Sequence, residues 1–125
     1  MPLPPGIWNA NINGVESQIQ LNPPNQSGVL TLLFSGVEFD GYWDEVSQTI
    51  TFSVTLALDR PGKPVVAVFK GFLFRTPSDP TPGQDAVATL AGFVQVTTGG
   101  HPNPALAATS RRNVFGWFAR INEIN

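Results

Sequence analysis

The stretch "TITFSVTLAL" at 49–58 alternates without a break: Ile50, Phe52, Val54, Leu56 and Leu58 share one parity, Thr49, Thr51, Ser53, Thr55 and Ala57 the other. A helix would scatter these apolar residues around its circumference, whereas a strand places them all on one face. The segment therefore predicts a strand buried on one side. The rest of the chain has the same texture. All twelve prolines fall at the N-terminus or at 23–24, 61–64, 77–82, 102 and 104. Between them lie runs rich in Val, Ile, Thr and Phe, the composition of strands.

Strands are predicted near 6–12, 16–22, 28–35, 37–44, 49–58, 65–75, 86–97 and 113–121, with one helical turn near 103–111. Eight successive strands joined mostly by short turns predict an all-β chain forming an eight-stranded antiparallel up-and-down barrel. Closure of the sheet removes the edges that invite aggregation. A two-sheet sandwich has the same strand count. At 125 residues the expectation is one domain, 1–125, with 1–5 as an extended arm.

Charged residues make up only 13% of the chain, about half of ordinary usage, so apolar surface is expected to be covered by another copy. The net charge is −2 with no basic stripe, which argues against nucleic acid. No apolar run is long enough for a membrane helix. The lack of cysteine removes disulfides, thiolate chemistry and cysteine-based zinc sites. "MPLPPG" has neither a basic nor an apolar leader region, so the expectation is a cytosolic chain or one whose leader has been removed. "NQS" at Asn25 is a formal glycosylation sequon.

Alternation assigns faces. Trp8, Ala10 and Ile12 point one way and Asn9, Asn11 and Asn13 the other. Ser17, Ile19 and Leu21 oppose Gln18 and Gln20, so the amides are expected outside. In "VEFDGYWDEV", Glu38, Asp40, Tyr42 and Asp44 oppose Phe39, Gly41 and Trp43. Alternate carboxylates suit a calcium ion or, as an inward pair, glycoside cleavage, but the aromatic face must go in, which leaves the acids solvated. His101, the one histidine, lacks both the nucleophile of a triad and the further donors of a metal site. Val66, Val68, Lys70, Phe72 and Phe74 form a largely apolar outer face, and a strand apolar on both faces is usually covered on both. With Phe115 and Trp117 assigned outward as well, a homodimer or homotetramer is expected through Val66, Val68, Phe72, Phe74, Phe115 and Trp117.

The Gly-x-Trp opening of "GIWNANING", the meander of strands and a basic residue in the last one together resemble the calycin barrels, and length and spacing look most like the avidin–streptavidin family. "SGVLTLLFSG" at 27–36, "FDGYWD" at 39–44, "VFKGFLF" at 68–74 and "FVQVTTGG" at 93–100 parallel that family's third, fourth, sixth and seventh strands. The resemblance implies aromatic walls at Phe69 and Phe93. The family's polar biotin contacts fall on Ala10, Phe34, Val65, Ala67 and Phe118, and Ser17 replaces one serine only with an insertion. With unmade hydrogen bonds of roughly 1–3 kcal/mol each, no tight biotin binding is expected. The resemblance also implies that Arg120 packs across Trp8.

The sequence thus predicts a non-enzymatic, homo-oligomeric barrel that binds a small apolar or aromatic ligand other than biotin. The expected lining is Trp8, Ser17, Phe34, Phe52, Phe69, Phe93 and Phe118, with no catalytic residue, metal or cofactor. The alternative is a barrel filled by its own phenylalanines, acting as an interaction or inhibitor module through the arm 1–5 and the proline-rich loop 76–85.

Overall fold

A computed structural model describes residues 2–56, 65–98 and 111–123. Eight strands follow in order: β1 (Gly6–Ile12), β2 (Val15–Leu21), β3 (Val29–Phe34), β4 (Val37–Asp44), β5 (Thr49–Leu56), β6 (Val65–Thr76), β7 (Ala86–Thr98) and β8 (Arg111–Glu123). Each pairs antiparallel with the next, and β8 returns to β1, so the sheet is a closed up-and-down barrel. The expected helical turn and His101 lie outside the described residues, apart from Arg111, which opens β8.

Local chemistry sets the register. Asn13 and Gly14 both have positive φ (51° and 85°) and join β1 to β2 in two residues, with Ile12 opposite Val15. Ser35 and Gly36 repeat that geometry between Phe34 and Val37. Such turns match the natural twist of a hairpin. The longer β2–β3 connection folds around Asn25, whose side-chain oxygen accepts from the main-chain nitrogens of Ser27 and Val29. The sequon asparagine thus serves its own turn.

The inner face carries the core: Trp8, Ile19, Leu30, Leu32, Ile50, Phe52, Val54 and Leu90 are essentially inaccessible. One end is closed by the arm. Leu3 is buried with the core, and the Trp8 indole donates to the Pro4 carbonyl at 3.1 Å. The seam between β1 and β8 spans four residue pairs, from Asn9 opposite Arg120 to Ile12 opposite Trp117. The ladder between β2 and β3 is shorter still, three pairs from Ile19–Phe34 to Leu21–Leu32. Residues 15–18 of β2 run past it.

Candidate functional site

A cluster of four rings packs together in the barrel's interior. Phe52 and Phe69 stack at 4.6 Å and 9°, and Trp117 stands edge-on to both, at 5.9 and 5.5 Å. Phe34 leans on Phe69 at 6.1 Å. Offset and edge-on pairs of this kind add to the burial energy of the rings. The Trp117 indole nitrogen donates to two main-chain oxygens, Lys70 at 3.1 Å and Phe93 at 3.0 Å, so its polar atom is satisfied inside the apolar core. The space left among Trp8, Ile50, Phe52, Leu90 and Trp117 is too narrow for a water molecule. At this level the barrel is filled.

The structure therefore reassigns part of the expected lining. Trp8, Phe52 and Phe69 are buried inside, and Ser17 and Phe34 are half-buried on the inner face. Phe93 and Phe118 point outward, 44% and 38% exposed. Trp117 and Phe115, expected on the outside, belong to the inner face, with Trp117 buried and Phe115 packed against the core. The physical cause is β8 itself: both parities are apolar, so alternation alone cannot choose between them. Gly71 decides it by leaving room inside for the Trp117 indole. Arg120, on the outer parity, lies over Phe118 at 4.9 Å rather than over Trp8.

The outer side of β6, β7 and β8 is one apolar surface. Cross-strand register sets out its rows: Val68–Gln95–Val114, Lys70–Phe93–Gly116 and Phe72–Ala91–Phe118, with Phe74 in the next row. Val68, Phe72 and Phe74 are 40–49% exposed, as expected for that face, whereas Val66 is half-buried. Lys70 reaches back over the Phe72 ring at 5.9 Å. A side chain added at Gly116 would meet nothing within 4 Å, so an open notch stands beside Phe93.

A second feature lies around the barrel on β8, β1 and β2. Here the outward row Arg120–Asn9–Gln18 runs beside Phe118–Asn11–Glu16, and Ile7–Gln20 follows. These side chains line an open depression of about 1000 Å³ that extends to the β3–β4 turn. Sequence reasoning placed the amides outside and set them aside. Their clustering with Phe118 and Arg120 depends on closure of β8 against β1, which no local pattern reveals. The acidic face behaves differently: Glu38, Asp40, Tyr42 and Asp44 are exposed, and among the described residues no group of three or more His, Cys, Asp or Glu side chains is placed to hold a metal ion. Asp44 instead caps its own turn, accepting from the Val46 nitrogen at 3.0 Å. The hydroxyl of Ser47 first, then the main-chain nitrogens of Val46 and Ser47, hold its carboxyl below the ordinary value.

Fold and surface together define a closed, eight-stranded antiparallel β-barrel of calycin-compatible architecture whose core is packed with its own aromatic side chains. No family model matches the chain, and neither a curated protein nor a solved structure matches it significantly.

Proposed function

We propose that the protein is a non-enzymatic, calycin-like binding module that works as a homo-oligomer and acts through its outer surface rather than through a cavity. The observation that carries this reading is the outward cluster of Phe72, Phe74, Phe93 and Phe118 on three adjacent strands. With Val68 and Val114 it amounts to roughly 500 Å² of apolar area, at the upper end for a soluble monomer. A second copy is the fitting occupant because the face carries a projecting ring and a notch side by side, Phe93 and Gly116. A twofold axis between two such rows seats each ring in the other's notch. Light scattering on the intact chain at micromolar concentration is the test. A dimer or tetramer that Val68→Asp and Phe72→Glu convert to folded monomer supports the reading, and a monomeric wild type sinks it.

A second reading keeps a small apolar ligand at the barrel end where β2 outruns β3. There Phe34 and Ser17 are only half-buried, and Phe34 is continuous with the stacked rings of Phe69 and Phe52. Titration with aromatic ligands, with biotin as the negative control, separates it from the filled barrel. Tight biotin binding would refute the carry-over of biotin contacts onto Ala10, Phe34, Val65, Ala67 and Phe118.

A further inference from the structure

Arg120 is a guanidinium without a carboxylate among the described residues. Arg75, by contrast, pairs with Glu123, whereas Arg120 rests on the Phe118 ring. An aromatic face behind a guanidinium restrains the plane of the fork, and that fork matches a carboxylate through two parallel hydrogen bonds. Its surroundings are mostly amides; the other charge lining the depression is Glu16, at the far end of the Phe118–Asn11–Glu16 row and on the side away from Arg120. Asn9 is its register partner on β1, Gln18 lies beyond Asn9 on β2, and Asn11 and Gln20 occupy the flanking rows.

Those amides are largely uncommitted. Asn9 and Gln18 share one long contact of 3.5 Å, and Asn11 spends its oxygen on the Gly14 nitrogen, which leaves its amide NH2 outward. An amide offers both a donor and an acceptor, which is what a hydroxyl needs from a partner. Beyond Ile19, β2 has no ladder with β3, so main-chain groups along residues 16–18 face the same depression. Arg120 and Gln18 stand two strands apart, about 10 Å, with room for one sugar ring between them.

We infer that this face binds an acidic sugar: a polyhydroxylated ring carrying a carboxylate, either as a free sugar acid or as a unit of a polyuronate. The carboxylate pairs with Arg120, and the ring hydroxyls are shared among Asn9, Asn11, Gln18 and Gln20. A phosphate polymer is a poor fit, since one cation serves the whole depression. A purely apolar ligand would strand the amides. The site adjoins the subunit contact: Phe118 belongs to both, and Arg120 lies in the cross-strand row of Phe74.

Calorimetry on the full chain with galacturonate, its oligomers, neutral galactose oligomers of equal length and a short polyglutamate peptide tests this. The acidic sugars should bind at least about tenfold more tightly than either control, since only they offer both the carboxylate and the hydroxyls. Free acid and oligomer binding equally points to a single-ring site, whereas affinity rising with length points to a polymer. Arg120→Gln should weaken acidic-sugar binding about tenfold and erase the preference over the neutral oligomer. Asn9→Ala and Gln18→Ala should weaken both sugars with unchanged melting. Equal binding of the neutral oligomer or of the peptide overturns the inference. So does the absence of any binding at millimolar sugar, or indifference to Arg120→Gln or to Asn9→Ala and Gln18→Ala together.

Discussion

The indole of Trp117 fills the volume that a side chain at Gly71 would need: a Cβ built there lies 2.6 Å from Cζ2 and 3.1 Å from Cη2 of the ring. The neighbouring Gly92 is tighter in another way, since its Cβ would run into the main-chain oxygen of Lys70. That oxygen also receives the Trp117 N–H. Of the two glycines opposite each other in β6 and β7, Gly71 therefore makes room for the indole and Gly92 for the carbonyl that anchors it.

Gly71→Ala should destabilise the barrel by about 1–3 kcal/mol, the usual range for an overpacked core. Gly92→Ala should cost more, because a main-chain oxygen cannot rotate away as a side chain can. Gly116→Ala, on the open outer side, should leave the fold's stability within about 0.5 kcal/mol of wild type. Urea unfolding followed by tryptophan emission ranks the three; a stable Gly92→Ala would mean that the Lys70 main chain does not close on Gly92, and a stable Gly71→Ala that the Trp117 indole does not lie over Gly71.

Trp8 and Arg120 should part company on mutation. Trp8→Ala removes an inaccessible ring and is expected to cost about 3–5 kcal/mol. Arg120→Ala removes an exposed side chain resting on an exposed ring, and its effect should stay within about 0.5 kcal/mol. A large loss for Arg120→Ala would restore the packing of Arg120 on Trp8 that the calycin resemblance implies.

Leu3 belongs to the barrel although it precedes the first strand. Leu3→Ala should cost about 2–5 kcal/mol as a core truncation. Removing residues 1–5 should lower the thermal midpoint further, since the acceptor for the Trp8 indole goes too. Calorimetric melts of the two variants decide it. An unchanged midpoint in both would leave the arm free to meet a partner.

Asp44 links the β4–β5 turn to pH. Its folded-state pKa lies below the unfolded one, near 3.9. The capped carboxylate therefore contributes fully above about pH 4, and its contribution is lost as pH falls through the folded value. Asp44→Asn keeps the acceptor oxygen without the titration and should flatten stability over that acid window. Thermal midpoints taken from pH 5 down to pH 2 test it, and parallel curves for wild type and Asp44→Asn would exclude the role.

Much of the architecture was legible because alternation and turn chemistry agree. Ile50, Phe52 and Val54 gave one buried parity, and the prolines marked the breaks between strands. Legibility failed where both parities are apolar. In β8, Phe115, Trp117 and Ala119 compete with Val114, Gly116 and Phe118, and only the space above Gly71, far away in sequence, chooses between them. The amide face was hidden for a related reason. Asn9 and Gln18 are visible as outward residues of one hairpin, but their neighbour Arg120 arrives from the other end of the chain.

The same seam orders events in time. β1 is made first, yet one of its two edges stays bare until β8 has been synthesised, because Asn9–Ile12 pairs with Trp117–Arg120 across about a hundred intervening residues. During translation the nascent chain can build hairpins but no barrel, and its inner aromatic rings stay exposed until the last strand leaves the ribosome. Contacts of such sequence separation fold slowly. The apolar meander is then most vulnerable to sticking to its neighbours, so yield in a cell should depend on synthesis rate and holding chaperones more than on the stability of the finished barrel.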